Sequence, residues 1–72
     1  MTLQEFMTEQ KILVSEYQAF RDKTAHPDYH LCWNNYQWNN RRTGRTQLSD
    51  VERFALGRIL YDIRHPGESI KA

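Results

Sequence analysis

Between Trp33 and Arg45 the chain reads Trp-Asn-Asn-Tyr-Gln-Trp-Asn-Asn-Arg-Arg-Thr-Gly-Arg, and a Trp-Asn-Asn triplet recurs within it after five residues. These side chains could do recognition chemistry of two kinds. Tryptophan, tyrosine and arginine dominate the binding energy of protein interfaces, where an aromatic ring fills a pocket and a guanidinium sits at the wetter edge. On this reading Tyr36 and Trp38 are the anchors and Arg41, Arg42 and Arg45 the polar rim. Replacing Trp38 and Arg42 by alanine should then abolish binding without unfolding the protein. The same residue types also suit nucleic acid: rings stack on bases, amides read base edges and arginines hold phosphates. No carboxylate interrupts residues 31–48 to repel a phosphate backbone. A third use is purely structural. Trp33 and Trp38 would fill the gap between two helices, and the asparagines would cap and turn the backbone.

Other reactive groups are sparse. His26, His30 and Cys32 lie close in sequence, but a structural zinc site takes four ligands, and Asp28 would point away from both histidines on a helix. Cys32 beside His30 lacks an evident third group to orient the base or to hold an oxyanion. There is no glycine-rich phosphate loop, and a chain of 72 residues has little room to enclose a substrate pocket and keep a core. A non-enzymatic protein without metal or cofactor is the expectation.

Charge separates the partner classes. The formal net charge is +1 at pH 7, so no global field draws the chain to nucleic acid or to an anionic membrane. Residues 1–30 carry three basic and five acidic side chains, and only residues 31–48 are locally cationic, with three arginines. Three arginines alone give modest phosphate affinity. A larger protein is therefore the favoured partner, with the chain as a small adaptor or inhibitor, and a nucleic-acid-binding module is the alternative. A helix-mediated homodimer is a third reading, because a small core gains from a second copy.

The elements that position this segment are signalled at both ends. Thr2 and Glu5 form a capping-box pattern, and Leu3, Phe6, Gln10, Leu13, Tyr17 and Phe20 follow at near-heptad spacing. One long helix over residues 2–23 is expected, and its stripe is the candidate dimer seam. Ser49 and Glu52 repeat the capping pattern before Val51, Phe54, Ala55, Leu56, Ile59, Leu60 and Ile63, and Pro66-Gly67 stops that helix. The apolar arc spans more than half the circumference, which implies more than one neighbour. Gly57 within it suggests close approach of another backbone. The middle is open: a short helix from Pro27 with Tyr29, Trp33, Tyr36 and Asn40 on one face, or a hairpin turning at Asn34-Asn35.

The expected fold is thus a mainly α, three-helix domain over residues 1–67. Its first and last helices run antiparallel with the middle laid across them, and residues 68–72 form a flexible tail. Two helices on a short β-hairpin is the alternative. The single cysteine allows no internal disulfide, the apolar runs are far below the roughly 20 residues that span a bilayer, and the N-terminus has no signal pattern. A cytoplasmic setting without membrane contact is expected.

Overall fold

Four α-helices and one 3₁₀ turn form the structure, a computed structural model that describes residues 1–67. The tail expected at 68–72 lies outside the described residues. The chain is mainly α, as expected, with four helices where three were foreseen and no strand among the described residues.

Thr2 opens α1 (Leu3–Glu9) through the expected capping box: its hydroxyl accepts from Glu5 N, and the Glu5 carboxylate accepts from Thr2 N. The helix then ends at Glu9, 14 residues short of the expected end at residue 23. Gln10 caps it, and Lys11 takes the left-handed conformation at φ 53°. Lys11 N–H donates to Thr8 O and Ile12 N–H to Met7 O, the paired bonds of a Schellman close in which glycine is the usual residue. Chain direction changes here, so the stripe from Leu3 to Phe20 belongs to two helices, and no continuous seam exists for a long helical pair. Leu3, Phe6 and Met7 are buried in the chain's own core.

The second half of the expected helix is α2 (Val14–Thr24). Its N-cap residue, Leu13, has no polar side chain to offer, but Glu16 Oε1 accepts Leu13 N at 3.0 Å and supplies half of a capping box. After α2 come the 3₁₀ turn Pro27–Tyr29, a short irregular stretch, and α3 (Asn35–Arg42). The hairpin alternative is excluded, and the helix starts later than Pro27. Asn34 is its N-cap: the side chain accepts from Gln37 N, and Gln37 Oε1 accepts from Asn34 N. The asparagines that resemble turn formers are in fact a helix start. Ser49 opens α4 (Asp50–Arg64) through the expected box with Glu52.

The antiparallel partner of α4 is α2. Glu16 at the start of α2 meets Arg64 at the end of α4, with Nε to Oε2 at 2.9 Å, while Lys23 near the end of α2 shares the Tyr29 ring with Arg58. Between them lies a core of Leu3, Phe6, Met7, Phe20, Tyr29, Trp33, Trp38, Leu48, Leu56, Ile59 and Leu60.

Arg64 and the Leu13 N–H hold the Glu16 carboxyl below its ordinary value of 4.5, the arginine contributing most. A depressed carboxyl stabilises the fold above its unfolded value, and that contribution disappears as pH falls through the folded value. Thermal melting should therefore decline on acidification below about pH 4.5. Glu16→Gln should melt lower than the parent at neutral pH and converge with it in acid. Parallel melting curves across that range would refute the linkage.

Candidate functional site

The five residues expected to form the site divide between interior and surface. Trp38 is only 2% exposed. Its ring meets Tyr17 and Phe20 edge-on, at 5.9 and 6.0 Å between centroids, and lies 6.4 Å from Trp33, which is also buried. The Arg21 guanidinium closes the outside at 5.7 Å. Trp38 is therefore a core residue and is not available as a partner's anchor. The physical reason is that α3 points this side chain at α2, where Tyr17 and Phe20 desolvate it together with Trp33. Arg41 is also engaged within the fold. Its Nε reaches Glu52 Oε2 at 2.8 Å, Nη1 donates to Gln37 O at 3.1 Å, and the guanidinium lies 4.6 Å from the centre of the Trp33 ring.

Tyr36, Arg42 and Arg45 do reach solvent. Tyr36 is 70% exposed, Arg42 makes a long 3.5 Å contact with Asn39, and Arg45 lies on the connection to α4. With both indoles buried, stacking of bases on Trp33 and Trp38 is unavailable to the folded chain.

The less expected surface is on α4. Ala55, Leu56, Ile59 and Leu60 face the core, as their spacing requires. Val51 and Phe54 do not: they are 77% and 72% exposed. Gly57 follows one turn later, also exposed, and a Cβ built there would meet nothing within 4 Å. Tyr61 continues the stripe and stacks on His65 at 4.4 Å. Arg53, paired with Asp50, and Arg58 flank these residues. Sequence reading assigned Val51 and Phe54 to a wide buried arc. The fold gives α4 too few neighbours to cover the whole arc, so its edge at Val51 and Phe54 stays outside. No protein-family model, curated protein or solved structure matches the chain.

Two other features border this picture. Ile12, Leu13, Val14 and Tyr17 line a shallow groove of about 460 Å³ at the corner between α1 and α2, with Val14 95% exposed. Beside Arg58, the Tyr29 hydroxyl donates to Asp62 Oδ2, and burial, reinforced by that carboxylate, pushes the phenol up to about 12. Tyr29 thus stays neutral and keeps donating well into the alkaline range. The cysteine and histidines do not converge. Cys32 is exposed, His26 Nδ1 accepts from Asp28 N, and no group of three or more metal-ligating side chains forms among the described residues.

Proposed function

We propose that the chain is a non-catalytic docking module, an adaptor or inhibitor that binds a larger protein through the outward face of α4. The observation that carries this reading is the exposure of Phe54 and Val51 on a helix whose other face is core. A domain of this size has little apolar surface to spare, and a contiguous exposed apolar stripe on a soluble fold marks an interaction site. Phe54 and Tyr61 supply aromatic anchors, Arg53 and Arg58 a polar edge, and Tyr36, Arg42 and Arg45 a secondary surface. Charge leaves nucleic acid behind protein as the ligand, since the buried indoles remove the strongest stacking groups. No described helix is long and apolar enough to cross a membrane. A reducing, cytoplasmic setting suits the exposed thiol of Cys32.

The test is capture from a cytosolic extract on immobilised chain, comparing the parent with Phe54→Ala. Phe54 touches no core, so the variant should melt within about 0.5 kcal/mol of the parent, and an interface anchor of this kind contributes roughly 2 kcal/mol or more to binding. Loss of a specific partner with an unchanged circular dichroism spectrum is the expected result. Equal capture by both chains would remove α4 as the docking face. Capture of nucleic acid that fades steeply with salt would move the reading to the arginines instead.

A further inference from the structure

We infer that the cleft between the end of α2 and the start of α3 is a binding site for a free, small, planar carboxylate. The fold builds this cleft from both sides. Trp33 N–H donates to Thr24 O at 3.0 Å, which ties the irregular stretch to the last turn of α2. Arg21 Nη2 reaches Asn35 Oδ1 at 2.7 Å, which ties α2 to the first turn of α3. Between these ties lies a cavity of about 150 Å³, with the buried Trp33 and Trp38 as its floor and Arg21, Asp22, Ala25 and Asn35 at its mouth. An engineered cavity of roughly 150 Å³ admits benzene, so a six-membered ring fits. No residue of α4 lines the cavity, and the site does not depend on docking through that helix.

The floor is not inert. Trp33 and Trp38 are 4% and 2% exposed, yet neither indole N–H has an acceptor among the described residues. A buried indole N–H ordinarily finds a partner. Neither N–H is sealed within protein, because Asp62 Oδ1 is the sole unpartnered side-chain polar atom shut from solvent among the described residues. The sliver of surface that each tryptophan keeps therefore includes its N–H, and the cavity that both line is where that surface opens. Further donors stand at the mouth. The Arg21 guanidinium uses one N–H on Asn35 and keeps others, 5.7 Å from the centre of the Trp38 ring. Asn34 Oδ1 takes the Gln37 N–H, which leaves the Asn35 and Tyr36 N–H groups of α3 without acceptors among the described residues, at the positive end of the helix dipole.

Donors without acceptors call for an oxygen ligand, and the guanidinium favours one that carries negative charge. Asp22 limits how much charge. Its Oδ1 accepts from Gln18 Nε2, and the carboxylate stays beside the mouth, where it opposes a phosphate dianion more than a monoanion. A carboxylate on a flat unsaturated ring answers each feature. Its oxygens take the guanidinium and indole N–H groups, and its carbon body lies against Ala25 and the indole edges.

Nitrogen-15 NMR of the full chain, titrated with benzoate, tests this, since the indole N–H signals belong to Trp33 and Trp38 alone. Both should shift downfield and saturate, with a dissociation constant of about 1 mM. Arg21→Gln should weaken binding by about tenfold, whereas Asp22→Asn should tighten it by roughly twofold to fivefold. A gain in affinity cannot arise from a damaged fold, so Asp22→Asn decides the matter even where Arg21→Gln disturbs the packing over Trp38. Benzamide has the same shape without the charge and should bind about fivefold more weakly or worse. Indole signals unmoved by benzoate at about 20 mM, or equal binding of benzamide, overturn the carboxylate site. Tighter binding of inorganic phosphate than of benzoate overturns it in favour of an oxyanion site at the start of α3. Tighter binding of a glutamate capped at both ends overturns the free ligand in favour of an acidic side chain of a protein partner.

Discussion

Trp38→Ala should unfold much of the protein, or bring it close to that point, rather than blunt a binding site. The indole is shared by α2, through Tyr17 and Phe20, and by the stretch that carries Trp33. Arg21 lies over its ring and is itself fixed by a 2.7 Å bond to Asn35. Truncating an aromatic in such a place costs about 3–5 kcal/mol, because the neighbours cannot collapse to fill the void. At roughly 0.05–0.15 kcal/mol per residue, the whole domain has about 4–11 kcal/mol of stability. The melting temperature should drop by roughly 12–40 °C, read by circular dichroism or calorimetry. Phe54→Ala, which also removes an aromatic ring, should leave it nearly unchanged. The burial of Trp38 runs against the expectation that Trp38 and Arg42 could be exchanged together without unfolding. A Trp38→Ala chain that melts within a few degrees of the parent would show that the indole is not core.

The two helix starts at Thr2 and Ser49 were legible because a capping box is a local device: two side chains, three residues apart, each satisfying a backbone N–H. The start at Asn34 uses the same device with Gln37, but four asparagines in the surrounding segment equally resemble a hairpin turn. The break at Lys11 was hidden for the opposite reason. No glycine or proline marks it, and periodicity runs on through it. What places it is tertiary: Arg64 donates to the carbonyls of Gln10 and Lys11 as well as to Glu16, so the end of α4 stabilises the turned backbone. Sequence also identified the apolar arc of α4 correctly in extent. Which edge lies outside depends on where α2 and the 3₁₀ turn pack, which no pattern within residues 50–64 encodes. The middle segment holds the densest recognition chemistry, yet Phe54 on α4 is as exposed as Tyr36 within that segment.

Arg41→Ala should cost about 2–4 kcal/mol, the second-largest loss expected, while Arg42→Ala and Arg45→Ala should stay within about 0.5 kcal/mol of the parent. Three arginines of one short cationic stretch thus differ in what they do. Arg41 and Glu52 are both only 16% exposed, so removing the cation leaves a carboxylate largely out of water. Glu52 does not lose every partner, since its Oε1 still accepts Ser49 N, which keeps the cost below that of a fully buried orphan. The same carboxylate thereby joins the end of α3 to the first turn of α4, and the guanidinium shields Trp33 in passing. A double-mutant cycle of Arg41→Met with Glu52→Gln should return a coupling of about 1–3 kcal/mol, and that coupling should survive added salt because the pair is partly shielded from counterions. Additive losses would mean that the pair is incidental. The two outer arginines carry no such duty, and any partner they contact should be released as salt rises. Salt therefore separates the arginine that holds the fold from those that can serve recognition.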